Sequence, residues 1–172
     1  MFRKAEEKDL DRISEIFDEI HTEEEAGRAQ IGWVRSIYPT RKTAETALAL
    51  GDMFVEEIDG KIVACARINQ EQVAEYVNAK WNYDAPSEEV MVLHTLVVSP
   101  KESGKGYGPK FVDIYEQYAM EHNCRYLRMD TNARNVRARA LYKKLGYTEA
   151  DIVESFFNGI AGVQLVCLEK TL

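Results

Sequence analysis

Gly104, Gly106 and Gly108 stand at alternate positions in Val97-Val-Ser-Pro-Lys-Glu-Ser-Gly-Lys-Gly-Tyr-Gly-Pro109. An apolar run, Val90 to Val98, stops at Pro100 just before them, and an amphipathic run from Lys110 to Glu121 follows. The order is strand, glycine loop, helix. Glycines at such a junction let the backbone turn tightly and let a ligand reach N–H groups that side chains would otherwise cover. The helix start adds unpaired donors and a partial positive charge. A phosphate or pyrophosphate suits that geometry. Two common phosphate loops are disfavoured. Gly104-Lys-Gly-Tyr-Gly-Pro-Lys110 lacks the GxxxxGK[ST] of a P-loop. A dinucleotide fingerprint needs GxGxxG after a first strand, whereas this GxGxG comes after about a hundred residues.

A glycine turn can be only a connection, but a second constellation lies downstream, in Arg134-Asn-Val-Arg-Ala-Arg-Ala-Leu-Tyr-Lys-Lys-Leu-Gly-Tyr147. Ala138, Leu141, Tyr142 and Leu145 share one helix face at i, i+3, i+4, i+7, and Asn135 suits the N-cap. Loop and helix together resemble the GNAT superfamily of acyl-CoA-dependent acyltransferases. Gly106 and Gly108 match the last glycines of its Gln/Arg-x-x-Gly-x-Gly/Ala loop. Asn135, Ala138, Leu141, Tyr142, Leu145, Gly146 and Tyr147 match its Asn-x-x-Ala-x-x-Leu-Tyr-x-x-Leu-Gly-Phe/Tyr helix. Ser103 departs from the pattern, standing where the family carries Arg or Gln.

The resemblance implies an α/β fold: a mixed, mostly antiparallel sheet splayed at its central strand and flanked by about four helices, in a single acyltransferase domain spanning residues 1–172. It implies acetyl-CoA as acyl-donor co-substrate, with no metal. The backbone of Leu96, Val97 and Val98 would pair with the pantetheine arm. Ser103, Gly104, Lys105, Gly106, Tyr107 and Gly108 would hold the pyrophosphate, and Asn135, Ala138 and Tyr142 would border the arm. Lys101, Lys105, Lys110 and Arg134 are either phosphate partners or solvated surface groups. Acyl transfer to an amine calls for a base, an oxyanion donor and an acid for the departing thiolate. Tyr142 is the expected acid; its other reading is a core tyrosine. Asn135 is a cofactor contact, a helix cap, or both. For the base, His94 is a candidate by its ordinary pKa, though a satisfied core histidine fits equally. Glu89, with Glu88, is the rival, and Asp130 and Asn132 close the next strand beside the cleft.

The implied function is an N-acetyltransferase acting on a primary amine of a small molecule or peptide through a ternary complex. The alternative is a non-catalytic acyl-CoA sensor or interaction domain of the same fold. Acceptor specificity is expected from His21–Tyr38 and Gln70–Glu89. There Trp33, Tyr38, Tyr76, Trp81 and Tyr83, with Glu23, Glu24, Glu25, Glu88 and Glu89, would suit a cationic amine. Ser155-Phe-Phe-Asn-Gly-Ile160 places two phenylalanines at a turn, to cover the cleft or to join two copies in a homodimer.

Elements to position these groups are readable from periodicity. Glu7–His21, Thr40–Leu50, Lys110–Glu121 and Asn135–Leu145 read as helices, with a short one in Gln70–Lys80. Met53–Ile58 and Lys61–Ile68 form a hairpin at Asp59-Gly60. Val90–Val98, apolar on both faces, is a central strand. Cys124–Thr131, Tyr147–Glu154 and Gly162–Glu169 complete the sheet. The 172 residues suffice for one sizeable core. A net charge of −7 argues against nucleic acid as the main partner. No apolar run is long enough for a membrane span, and the N-terminus lacks a signal-peptide core, so a cytoplasmic location is expected. Cys65, Cys124 and Cys167 lie far apart and read as buried free thiols.

Overall fold

The computed structural model describes all residues, Met1–Leu172. Its strands are β1 (Phe2–Lys4), β2 (Met53–Ile58), β3 (Lys61–Asn69), β4 (Val90–Val98), β5 (Tyr126–Asn132), β6 (Thr148–Phe157) and β7 (Ile160–Thr171). Its helices are α1 (Leu10–Glu25), α2 (Arg41–Ala49), α3 (Tyr107–Glu121) and α4 (Val136–Lys144). One seven-stranded sheet runs β1-β2-β3-β4-β5-β7-β6. Every pairing is antiparallel except β4 with β5. The mixed sheet and four helices are those expected from the sequence.

Alternation along the strands divides the core into two layers. On one face, Phe54, Ala64, Ala66, Met91, Leu93, Leu127 and Met129 pack with Phe111, Val112, Tyr115 and Ala119 of α3 and Tyr142 of α4. On the other, Met53, Val55, Cys65 and Val97 pack with Ile13, Ile16 and Phe17 of α1 and Ala44 and Ala47 of α2. Val90, Val92, Leu165 and Cys167 extend that second face under Tyr76. All three cysteines are buried and unpaired. No helix is long and apolar enough to cross a membrane.

Two hairpins use the same turn chemistry. Asp59-Gly60 and Asn158-Gly159 all have positive φ, the twist that two-residue hairpin loops need. The short helix expected within Gln70–Lys80 is only a 3-10 turn, Ala74–Asn78. Tyr76 N–H meets the Val73 carbonyl there, and the Tyr76 ring anchors the segment against Trp81 at 5.0 Å between centroids.

The feature that shapes the site is a failure of pairing. β4 and β5 run parallel only from Val90↔Tyr126 to Leu93↔Met129. Past that point β4 stays with β3 and β5 stays with β7, so the sheet parts down its middle. β4 is also bulged, because Cys65 and Arg67 of β3 face Val97 and His94, so that one residue between the pairs on β3, Ala66, opposes two on β4, Thr95 and Leu96. Thr95 lies in the bulge with φ +53, a conformation uncommon for a β-branched residue and typical of functional sites.

Candidate active site

A cavity of about 500 Å³ fills the gap between the parted strands. It is lined from both faces of the sheet: Asn135, Ala138 and Tyr142 on the α4 side, and Trp33, Tyr38, Thr43, Ala47 and Val73 on the α2 side. His94, Thr95, Leu96, Asp130, Thr131 and Asn132 form its edges. The parted strands therefore make a slot through the sheet rather than a pit on one side.

Tyr142 is almost fully buried, yet its hydroxyl has no hydrogen-bond partner in the protein and is not sealed from the cavity. Burial and the Asp130 carboxylate raise its pKa well above the ordinary phenol value, so it holds its proton. Asn135 is the cap of α4 and also lines the cavity. Its Oδ1 accepts from Ala138 N–H at 3.2 Å, and its Nδ2 donates to Thr131 Oγ1 at 3.1 Å.

The glycine loop adjoins the slot on the α3 side. Gly104 and Gly106 have φ +82, and a side chain added at either would meet nothing within 4 Å. Gly108 is closer packed, with Leu141 and Val98 at 3.7 and 3.8 Å from an added Cβ. Gly106 caps α3 without any side-chain hydrogen bond, and the first turn of α3 carries no acidic residue. None of the N–H groups of Gly104, Lys105, Gly106, Tyr107 and Gly108 finds an acceptor in the protein. Ser103 accepts a hydrogen bond from Arg137 Nη2 at 2.9 Å. The lysines read as either phosphate partners or surface groups are ion-paired: Lys101 to Glu19 at 2.8 Å, Lys105 to Glu102 at 2.6 Å, and Lys110 to the buried Glu56. Arg134 is exposed and free of ion pairs. Of the β4 residues expected beside the arm, Leu96 lines the slot, Val98 packs toward α3, and Val97 points to the opposite layer.

The expected bases separate. His94 reaches the slot, and its Nε2 donates to Asn69 Oδ1 at 2.9 Å, leaving Nδ1 without a proton. Burial and the nearby Arg67 lower its pKa to about 4, so it is neutral and a poor proton acceptor near pH 7. Glu89 and Glu88 lie in the 3-10 turn that precedes β4 and do not line the slot; that turn leads into the half of β4 that is paired with β5, away from the gap. The acidic wall is absent as well. Glu23 and Glu25 bind Arg28 and Arg35, and Glu24 accepts from Ile31 and Gly32 N–H. Trp81 and Tyr83 pack on Arg128 and Tyr126 outside the slot. Phe157 joins the lining, while Phe156 is exposed.

Asp130 is the one carboxylate in the lining. It accepts from Tyr76 hydroxyl at 2.8 Å and has no cationic partner. Burial raises its pKa to about 7 against the opposing hydrogen bond from Tyr76. Sequence reading put Asp130 beside the cleft; Arg137 and the Thr95 bulge carried no signal in residue type.

Residues 10–147 match the acetyltransferase (GNAT) family. Over 139 residues the chain is 28% identical to a streptothricin acetyltransferase of Escherichia coli, covering 79% of this chain and 69% of that protein. Over 108 residues it is 26% identical to an uncharacterized N-acetyltransferase of Methanocaldococcus jannaschii, covering 61% of this chain but only 42% of that protein. Among solved structures, a GNAT-family acetyltransferase from Streptococcus agalactiae superposes with a TM-score of 0.85 at 21% identity, over 100% of this chain and 95% of that one. Another from Listeria monocytogenes gives 0.74 at 18%, over 100% and 94%.

Proposed function

The chain belongs to the acetyltransferase (GNAT) family, and from that premise we propose that it transfers an acetyl group from acetyl-CoA to a primary amine within one ternary complex. The observation that carries this reading is the free Tyr142 hydroxyl facing the slot where β4 and β5 part. The residues fit the donor. The unpaired N–H groups of Gly104 to Gly108 and the α3 N-terminus suit its pyrophosphate. The unpaired edge of β4 at Leu96 to Val98 suits its amide-bearing arm, by the hydrogen bonding that adds a strand to a sheet edge. Bound there, acetyl-CoA supplies an activated thioester. Asn135 and Ala138 fix the arm's path. Tyr142, protonated by virtue of its burial, donates toward the leaving sulfur. The bulge at Thr95 takes backbone groups out of the β3 ladder beside the slot, and an N–H freed there is the donor we assign to the developing oxyanion.

Free-thiol release from acetyl-CoA across a panel of amines, amino acids, polyamines and peptides tests this function. Acetyl-CoA binding without thiol release on any acceptor would favour the sensor reading. No binding at millimolar acetyl-CoA would overturn both.

A further inference from the structure

Asp130 follows Met129, which faces α3 and α4, so Asp130 faces the other layer. There it shares the wall with Trp33, Tyr38 and Val73, across the sheet from Tyr142. A donor lying along α4 and the glycine loop leaves this half of the slot to the acceptor. Of the two carboxylate oxygens, Oδ2 takes the Tyr76 hydroxyl. Oδ1 makes no hydrogen bond in the protein and is not sealed off, so it is open to the cavity. Two cations line the same cavity, and neither pairs with Asp130: Arg67 binds Asp52 and Glu71, and Lys42 is highly exposed on α2, 3.9 Å from Glu45. A carboxylate in this position lacks a counter-ion that a ligand could bring.

We propose that Asp130 receives the acceptor as an alkylammonium ion and takes its proton, so that the substrate class is a primary aliphatic amine entering from the α2 side. This rests on the acetyltransferase reading above. One ammonium N–H bond breaks, the proton passes to Oδ1, and the electron pair stays on nitrogen as the nucleophile. Solvent recovers the proton after turnover. Tyr76 holds the carboxylate in place, and the Trp33 and Tyr38 rings offer faces to the cation. The groups around Asp130 do not compete for this proton at neutral pH. Burial pushes Tyr38 up to about 12 and Tyr76 well above the ordinary phenol value. Cys167, its cross-strand partner on β7, is raised to about 12. His94 on the opposite edge is lowered to about 4, and Glu75 adds only negative charge from outside. The carboxyl, raised to about 7, is matched to a base working near neutrality. Burial in the same slot lowers the ammonium's pKa toward it.

Two measurements test this. In carbon-13 NMR titrations, one aspartate carboxyl should titrate near neutrality in the wild type and be missing from Asp130→Asn. Ethylammonium chloride at tens of millimolar should lower that midpoint by about half a unit or more, while equal sodium chloride leaves it in place. An unmoved midpoint would overturn the docking role. In steady-state assays with an accepted amine, Asp130→Asn should lose about a hundredfold or more in kcat/KM and lose the acid limb of its pH profile. Its acetyl-CoA affinity by calorimetry should stay unchanged. A wild-type rate and profile in Asp130→Asn would refute the base. If wild type released no thiol yet the ethylammonium shift persisted, the acetyltransferase reading would fail and the ammonium site would stand.

Discussion

Arg137 of α4 donates to the Ser103 hydroxyl at 2.9 Å, bridging the helix to the glycine loop. The GNAT loop pattern has a long polar side chain at the Ser103 position. Here a guanidinium arrives at the same place from another element, while Lys101, Lys105 and Lys110 are held by carboxylates. Arg137 is exposed, and its remaining donors are free to meet a phosphate.

Arg137→Ala should therefore weaken acetyl-CoA binding about three- to tenfold, the range for a charge-assisted contact near solvent. The loss should shrink as salt rises, and Ser103→Arg in the same chain should restore most of it. Calorimetry at two ionic strengths checks this; equal affinities for wild type and Arg137→Ala would detach Arg137 from the cofactor.

Tyr142→Phe removes a hydroxyl that has no hydrogen-bond partner in the protein. Thermal stability should hold or rise slightly, because the hydroxyl removed makes no hydrogen bond within the protein. Acetyl-CoA affinity should change little, and kcat should fall more than tenfold. Wild-type turnover in this variant would remove Tyr142 from proton transfer.

The loop glycines should respond differently to added carbon. Gly106→Val forces a β-branched residue to φ +82, a conformation that costs about 1–2 kcal/mol even for simpler side chains, and its side chain covers the N–H cradle. Gly108 is not in the left-handed region and has 3.7 Å to its nearest neighbour, so Gly108→Ala should fold normally. Calorimetry should find acetyl-CoA binding lost in Gly106→Val and kept within a few-fold in Gly108→Ala. Undiminished binding in Gly106→Val would place the pyrophosphate elsewhere.

Asp130 also sets an unusual pH dependence of stability. Its carboxyl is raised from 3.8 to about 7, so the folded chain binds this proton more tightly than the unfolded chain does. The stabilisation is fully present below about pH 4 and is lost as pH rises through about 7, opposite to an ion-paired carboxylate. Asp130→Asn keeps an acceptor for Tyr76 and never ionises. It should melt above wild type at pH 8 and close to it at pH 4, as scanning calorimetry would show. A lower melting temperature at pH 8 would mean that the carboxylate is stabilised by a contact other than Tyr76.

The four helices and most strands were legible because their apolar spacing matched the layers they bury. The glycine loop and the Asn135 helix carried the family. The parting of β4 and β5 was not legible: His94 and Thr95 interrupt the apolar run Val90 to Val98 just after Leu93, where pairing stops, but two polar residues in a strand do not by themselves mark a break. β1 was missed because three residues make no periodic signal. The Glu89 expectation ranked a carboxylate by its closeness in sequence to the central strand. Its placement at the paired end shows that position along a strand decides access. Asp130 owes its raised pKa to burial, which outweighs the hydrogen bond from Tyr76, and that surrounding is assembled from segments as far as 54 residues away in sequence, which no local pattern encodes.

Lys110, read from the sequence as either a phosphate partner or a surface group, binds Glu56, which is fully buried on β2. The second oxygen of Glu56 has no partner. Removing the amine strands a carboxylate in the core, a change that costs about 3–5 kcal/mol when no water can enter. The Lys110 side chain is half exposed, so some hydration is available and a loss of about 2–3 kcal/mol is expected for Lys110→Met. Glu56→Gln added to it should recover most of that, since a buried amide is far less costly than an uncompensated charge. Urea denaturation should show the midpoint falling and recovering with an unchanged slope. At temperatures where both chains are folded, Lys110→Met should bind acetyl-CoA like wild type; weaker binding would assign Lys110 to the phosphate as well as to Glu56.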